Sequence, residues 1–149
     1  MAKTVSIKPT NPKDIIGSDK LPLHLVPTSA IALESLAFLD GALKYGRQNW
    51  RRAGARASIY YDAALRHLHK WFEGEDIDEE SGVPHLAHVR ACIGILIDAD
   101  MAGKLTDDRA LPVGYLDYVR QLTPHVARLK RRHAPQHPHH FTIADRGSS

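Results

Sequence analysis

The sequence predicts an all-α protein built around a helical bundle. Apolar residues recur at helical spacing in four segments, no stretch shows the alternation typical of a strand, and no internal repeat of about 20–50 residues is present. The 149 residues are 43% hydrophobic and 25% charged, a composition typical of one soluble globular domain. The organisation we expect is an extended N-terminal arm over 1–27, a helical core over 28–105, C-terminal helices over 106–132 and a disordered tail over 133–149.

The first segment and the first helix are separated by a change in composition. Residues 1–27 contain four prolines and almost no periodicity, which predicts an extended arm rather than a helix. Thr28 or Ser29 is placed to cap a helix that ends at about Tyr45, with Gly46 as its stop. The apolar stripe predicted for this helix is Leu36, Leu39 and Leu43.

A second helix is predicted from about Ser58 to Phe72, ending before Gly74. Its predicted buried stripe is Tyr61, Leu65, Leu68 and Phe72. Its predicted polar face is Asp62, Arg66, His69 and Glu73.

A third helix is predicted over about 84–102, because Pro84 suits a first helical turn and a strongly apolar segment follows it. Such a helix must be buried on most sides, either in a bundle or against another subunit. Its apolar residues are Leu86, Val89, Ile93, Leu96 and Ile97. A last helical region extends from about Leu116 to Leu129, and Thr123–Pro124 is expected to split it. The tail after it is rich in His, Pro and basic residues, which predicts disorder.

The net charge and the cysteine content limit the partners and the cellular compartment expected for this protein. The formal net charge of +3 and the isoelectric point of about 9.1 are only a weak indication of nucleic-acid binding. The single cysteine, Cys92, excludes a disulfide within the chain and is typical of a reducing cytosol. No hydrophobic signal segment is visible, and no apolar run approaches the roughly 18 residues that span a membrane. We therefore expect a cytoplasmic protein with no membrane partner.

The densest group of chemically active side chains lies in residues 66–88. His85 and His88 are three residues apart at the start of a predicted helix, so both imidazoles project to one side and are able to meet one ion. Glu75 and Asp78, in the acidic loop before that helix, are placed to complete a mixed oxygen and nitrogen shell. The alternative is a pair of histidines that form local hydrogen bonds beside a hydrated turn. The other acids of the loop, Asp76, Glu79 and Glu80, are expected in solvent.

The turn KYGRQNWRR sets aromatic residues among cations, a pattern that suits phosphate binding and base stacking. Either Tyr45 or Trp50 is placed to stack on a base. The alternative is a basic surface turn in which Trp50 packs back onto the core. The cations of the turn are Lys44, Arg47, Arg51 and Arg52.

Three blocks of the sequence resemble, in order, the phage dATP/dGTP diphosphohydrolase domain family, which is related to the MazG-like all-α nucleotide pyrophosphohydrolases. The blocks are NPKDIIGSDKLPLHLVP, GALKYGRQNWR and RHLHKWFEGEDIDEESGVPHLAH. The similarity covers about residues 11–105. It implies a MazG-like bundle that hydrolyses a purine deoxynucleoside triphosphate, dGTP or dATP, to the monophosphate and pyrophosphate. In phages that replace adenine by 2-aminoadenine, cleavage of dGTP would feed synthesis of the modified nucleotide, in the host cytoplasm.

The resemblance also implies a metal cofactor, Mg²⁺ or Mn²⁺, and imidazole ligands would favour Mn²⁺. MazG-like enzymes hold divalent ions with an ExxE and an ExxD motif on adjacent helices. The ExxE motif is absent here, and PHLAHV lies where the ExxD helix is expected, so that His85 and His88 replace an acid pair. The ligands implied are Glu75, Asp78, Asp62, His85 and His88.

Further roles follow from the same resemblance. Histidines of the cluster are implied to contact phosphate or act as the base, and the catalytic set implied is His67, His85, His88 and Glu75. The cations implied to bind phosphates are Lys44, Arg47, Arg66 and Lys70. The N-terminal block around Asn11, Ile16 and Gly17 is expected to read an edge of the purine, with Trp50 stacking on the base. The apolar third helix and the oligomeric relatives imply a homodimer or homotetramer.

Three functions compete on this sequence. They are a metal-dependent dNTP pyrophosphohydrolase, a phage nucleic-acid-binding or regulatory helical protein, and a non-catalytic oligomeric helical module. The acidic loop argues against the second, since carboxylates repel phosphates unless a cation bridges them. The third leaves the histidine and acid cluster unexplained. The sequence therefore predicts the hydrolase, with a purine dNTP as substrate and no specific nucleic acid as partner.

Overall fold

The computed structural model describes residues 11–147, so residues 1–10 of the predicted arm and 148–149 of the predicted tail lie outside the described residues. The described part confirms the all-α fold. Its helices are α1 (Pro12–Gly17), α2 (Thr28–Tyr45), α3 (Trp50–Ala53), α4 (Ala57–Phe72), α5 (His85–Met101) and α6 (Tyr115–Arg132). Two short 3-10 helices are Leu23–Leu25 and Ile143–Asp145, and two strands of two residues each are β1 (Ala55–Arg56) and β2 (Leu105–Thr106). Within residues 11–147, no helix has the length and apolar character needed to cross a membrane.

Helix α5 is the centre of the fold, because both α4 and α2 pack against it. The short strands add a second connection: β1, just before α4, pairs in parallel with β2, just after α5, with Ala55 opposite Leu105. Gly54 makes this approach possible. Its φ is +85°, and a Cβ at this position would lie 2.9 Å from the carbonyl oxygen of Lys104. The start of α4 is therefore tied to the end of α5.

The core is built from small side chains, and this corrects the predicted stripes. Buried residues of the helices are mainly alanines, including Ala37 of α2, Ala64 of α4, and Ala87 and Ala91 of α5. Alanine lets helix backbones approach closely, so in a single chain the larger apolar residues lie on the outer faces. Predicted stripe residues that are exposed in this chain are Leu36, Leu39, Leu43, Tyr61, Leu68, Phe72, Leu86, Ile93 and Ile97.

Two helix starts differ from the prediction. Part of the arm that was predicted to be extended forms α1, because Pro12 occupies its first turn and the side chain of Asn11 accepts a hydrogen bond from the backbone of Lys13 at 2.9 Å. Helix α2 does begin at Thr28, but its N-cap residue is Pro27, and no side chain caps it. The predicted cap by Thr28 or Ser29 is therefore wrong.

The C-terminal region also differs from the prediction. Helix α6 continues through Thr123–Pro124 without the predicted split, and the hydroxyl of Thr123 donates to the carbonyl of Val119 at 2.8 Å. An exposed helix tolerates the proline, because water can bind the carbonyl that loses its donor. The segment predicted to be disordered contains the 3-10 helix Ile143–Asp145, which begins with a capping box formed by Thr142 and Asp145.

Candidate active site

A cluster of histidines and acids forms where α4, the acidic loop and the first turns of α5 meet. His67 projects from α4, Glu75 and Asp78 from the loop, and His85 and His88 from α5. His85 is completely buried, and the other four side chains of this cluster are half-buried. The backbone fixes the loop against α5, because the amide of His85 donates to the carbonyl of Asp76 at 3.0 Å.

His85 connects two members of the cluster. Its Nε2 lies 2.8 Å from Oε1 of Glu75, and its Nδ1 lies 2.8 Å from Nδ1 of His67. A carboxylate only accepts hydrogen bonds, so Nε2 of His85 donates to Glu75, and Nδ1 of His85 faces Nδ1 of His67. Either a proton shared between the two Nδ1 atoms or a cation bound by both satisfies this contact.

The donor set fits a divalent transition metal. His67, Asp78 and His85 each offer one ligand atom, and these atoms lie within 4.8 Å of one another. Two imidazoles and one carboxylate suit Mn²⁺ and related ions better than Mg²⁺, which prefers oxygen. The hydrogen bond from His85 to Glu75 is the support usual for a metal-binding histidine, because it fixes the tautomer and the ring orientation. In this geometry Glu75 contacts His85 and lies outside the group of three candidate ligands.

Asp78 is held in place by Ser81. Its carboxylate accepts from the backbone amide of Ser81 at 3.1 Å and from the hydroxyl at 2.7 Å, and these hydrogen bonds lower the pKa of Asp78. The hydroxyl of Ser81 also lies 2.8 Å from Nε2 of His88, whose ring stacks on His67 with centroids 4.5 Å apart. His88 thus orients its neighbours and does not join the three candidate ligands.

Burial keeps the imidazoles of His67 and His88 neutral. Desolvation is the main cause that lowers the pKa of each ring, and for His67 the neighbouring histidines lower the pKa further. A neutral imidazole is required both for metal binding and for accepting a proton. Both rings are therefore neutral at neutral pH, the form that is able to bind a metal or accept a proton.

A polar cavity of about 290 Å³ opens beside the cluster. Three cations face it, and Lys44 is paired with Asp40 at 3.0 Å and approaches Glu80 at 3.8 Å. The hydrogen bond to Asp40 raises the pKa of Lys44, so the ammonium group of Lys44 stays protonated at neutral pH. The residues lining this cavity are Asp40, Lys44, Arg66, His67, Lys70, Asp78, Glu80 and His88. We call it the polar cavity.

A second cavity of about 500 Å³ lies between α2, the turn 46–49 and α5, and we call it the aromatic cavity. Trp50 is buried at its wall and donates from Nε1 to Asp98 at 2.6 Å. Arg51 binds the same carboxylate at 2.8 Å, and the hydrogen bonds from Arg51 and Trp50 lower the pKa of Asp98 to about 2. The aromatic residues of this cavity are Phe38, Tyr45, Trp50 and Tyr60, and its amide side chains belong to Gln48 and Asn49.

The structure separates the predicted site residues into groups. Lys44, Arg66 and Lys70 line the polar cavity, whereas Arg47 and Trp50 line the aromatic cavity. Asp62 is exposed on α4 and lies outside the group formed by His67, Asp78 and His85. Asn11, Ile16 and Gly17 are exposed on α1 and line neither cavity.

Sequence reasoning missed Asp40, Ser81 and most residues of the aromatic cavity, although it named Tyr45, Arg47 and Trp50, which line that cavity. Asp40 carried a usable signal, since it lies one helical turn before Lys44. Ser81 also carried one, because a serine three residues after an aspartate is typical of a turn closed by a carboxylate. No sequence signal indicated the pairing of His67 with His85, because this pairing depends on how α4 packs on α5.

Comparison with known proteins gives one family. The family model described as dATP/dGTP diphosphohydrolase, N-terminal, matches residues 10–109, which include both cavities and the whole cluster. No curated protein and no solved structure matches.

Proposed function

The chain belongs to the dATP/dGTP diphosphohydrolase family, and from this premise we propose that it hydrolyses a purine deoxynucleoside triphosphate, dGTP or dATP, to the monophosphate and pyrophosphate. The observation that carries the proposal is the group of His67, Asp78 and the fully buried His85 beside a cavity lined by three cations. Metal ligands and phosphate-binding cations meet there, as cleavage of a triphosphate requires.

The reaction consumes one water. The water oxygen bonds to the α-phosphorus, the bond from that phosphorus to the bridging oxygen breaks, and pyrophosphate leaves with the electron pair. The proton of the water needs an acceptor, and the neutral imidazole of His88, which is outside the group of candidate metal ligands, lines the cavity where the phosphates would lie. Lys44, Arg66 and Lys70 offset the negative charge of the triphosphate from the cavity walls.

The family is metal-dependent in its general chemistry, and His67, Asp78 and His85 are the residues that would hold a divalent ion. A bound ion supplies charge stabilisation for the phosphate oxygens and acidifies water. We assign Mn²⁺ as the preferred ion, with Mg²⁺ as the weaker one, because two of the three donors are nitrogens. Glu75 orients His85, and Ser81 orients Asp78.

The domain limits follow the same proposal. The catalytic unit is the core over 28–105, since both cavities and the cluster lie within it. The C-terminal helix α6 and the tail lie beyond this unit. In a phage that uses 2-aminoadenine, the enzyme would act in the host cytoplasm and supply dGMP from dGTP.

Product analysis tests the proposal directly. Purified protein is incubated with each of the four dNTPs and either Mn²⁺ or Mg²⁺, and the products are separated by ion exchange. We expect monophosphate and pyrophosphate from dGTP or dATP, faster with Mn²⁺, and little turnover of the pyrimidine nucleotides. Release of inorganic phosphate instead would overturn the proposed reaction. No turnover together with salt-sensitive binding to DNA would overturn the proposal in favour of a nucleic-acid-binding role.

A further inference from the structure

We propose that the aromatic cavity binds the purine base, while the polar cavity binds the triphosphate. This rests on the proposed function and deepens it, because it names the part of the chain that selects the substrate. It also replaces the N-terminal block around Asn11 as the reader of the base.

The two cavities lie along the same faces of the helices. Tyr60 of the aromatic cavity and His67 of the polar cavity are seven residues apart on α4, which is two turns, so they share one face at about 10 Å along the axis. On α5, Ile95 of the aromatic cavity and His88 of the polar cavity are also seven residues apart and share one face. A deoxyribose and its 5′-phosphate bridge such a separation. One nucleotide can therefore occupy both cavities at once.

The lining of the aromatic cavity has the chemistry of a base pocket. Its volume, about 500 Å³, lies in the range of small-molecule sites, of roughly 300–1,000 Å³. Rings of Tyr45 and Tyr60 offer flat apolar surface for a purine, in addition to the buried Trp50 and the partly buried Phe38, whose centroids are 5.8 Å apart. Small residues leave the space between these rings open. Those residues are Ala37, Gly41, Ala42, Ala91 and Gly94.

Hydrogen-bonding side chains also line this cavity, in the turn 46–49 and on α4 and α5. Gln48 and Asn49, in the turn between α2 and α3, line it, and each amide has both a donor and an acceptor. A purine edge also presents both. The turn is held in an unusual backbone conformation: φ of Gln48 is +55°, which is rare for a residue with a side chain. An apolar slot with two amides on one side fits a purine base better than a phosphate or a metal.

The exposed helix α1 is a poor alternative site. Asn11 uses its side chain to cap α1, and the backbone of Asp14 is bonded within the same turn. Ile16 is 65% exposed and lines neither cavity. The side-chain oxygen of Asn11 and the backbone amide of Asp14 are thus already engaged in this short helix.

Gly41 offers a clean way to close the aromatic cavity. It lines the cavity, and a Cβ at this position would meet no atom within 4 Å. A side chain at this position therefore begins in open space beside the cavity, and Gly41→Leu is designed to fill it. Ala32→Leu places the same side chain at an exposed position of the same helix and serves as the control.

Steady-state kinetics with two ligands separates the cavities. We expect Gly41→Leu to raise KM for the preferred purine dNTP at least about tenfold, whereas inorganic tripolyphosphate, which has no base, should inhibit the variant and the wild type with the same Ki. Ala32→Leu should change neither constant. An unchanged KM in Gly41→Leu, or an equal loss of tripolyphosphate inhibition, would overturn the assignment of the base.

Fluorescence titration keeps this test independent of turnover. dGMP or dAMP should quench the tryptophan fluorescence of the wild type, because Trp50 lies in the wall of the cavity, and Gly41→Leu should abolish the quenching. A wild type that hydrolyses no dNTP but is quenched in this way would refute the proposed reaction and support the base cavity.

If Gly41→Leu loses its helical circular dichroism, Asn49→Ala replaces it and should change the ratio of kcat/KM for dGTP to that for dATP. An unchanged ratio would overturn the role of the turn.

Discussion

His85 shows at the scale of one residue why the site is arranged as it is. A fully buried imidazole without partners would destabilise the fold, and His85 avoids this with one contact on each nitrogen. The spacing of His85 and His88 suggested that these two rings meet one ion. The structure instead pairs His85 with His67 of another helix, while His88 contacts Ser81. Local spacing identified the right segment but could not identify the partner, because partners are set by packing between α4 and α5.

Glu75→Gln tests whether Glu75 supports a metal-binding histidine. The amide still accepts from Nε2 of His85, but the negative charge that makes His85 a better ligand is lost. We expect Mn²⁺ affinity and kcat/KM to fall by about 10- to 100-fold, with the helical content unchanged. Mn²⁺ binding is measured by calorimetry and turnover by pyrophosphate release.

Glu79→Gln is the matched control, since Glu79 belongs to the same loop and is exposed. It should leave both quantities unchanged. Equal behaviour of the two variants would show that Glu75 acts only as part of the acidic loop, and the candidate metal group would lose its support.

At the scale of secondary-structure elements, helix bounds were predictable and helix faces were not. Helix α4 was predicted from Ser58 to Phe72 and runs from Ala57 to Phe72. Its predicted inner stripe, however, is largely exposed, and Ala57 and Ala64 are buried instead. A periodic run of large apolar residues marks a helix wherever it packs, but it does not distinguish burial in the chain from burial by a second copy. Alanine at helical spacing was the missed signal for close contact with α5.

Gly54→Ala tests how much the junction between β1 and the end of α5 contributes to stability. The backbone at Gly54, with φ +85° and ψ 172°, is a conformation that costs other residues about 1–3 kcal/mol. The added Cβ would also lie 2.9 Å from the carbonyl oxygen of Lys104. We expect a loss of unfolding free energy above that range, measured by urea denaturation.

Gly103→Ala separates the two causes, because Gly103 also has a positive φ, +66°, but an added Cβ there would meet nothing within 4 Å. Its loss should be about 1–2 kcal/mol, from the backbone conformation alone. Equal losses in the two variants would mean that the approach of Lys104 adds nothing.

At the scale of the whole molecule, the single chain leaves much apolar surface uncovered. Leu36, Leu39 and Leu43 follow one side of α2, and Ile93 and Ile97 follow one side of α5, and all are exposed. Monomeric proteins rarely expose apolar residues in such continuous rows. The sequence predicted this for the third helix through its apolar excess. We propose that a second copy of the chain covers these faces, in a homodimer or homotetramer.

Leu39→Glu tests the assembly, because it puts a charge in the middle of the exposed row on α2, where Leu39 is 53% exposed. A charge buried against a partner without a counter-charge opposes association strongly, while in a free monomer it stays hydrated. We expect light scattering after size exclusion to give one chain mass for Leu39→Glu and two or four for the wild type. The melting temperature of the wild type should rise with protein concentration, and that of the variant should not.

Leu111→Glu, in the loop before α6 where Leu111 is 88% exposed, controls for the added charge and should assemble normally. A monomeric wild type would contradict the proposal, and so would a Leu39→Glu variant that keeps the wild-type mass, because the row on α2 would then lie in solvent in every state of the protein.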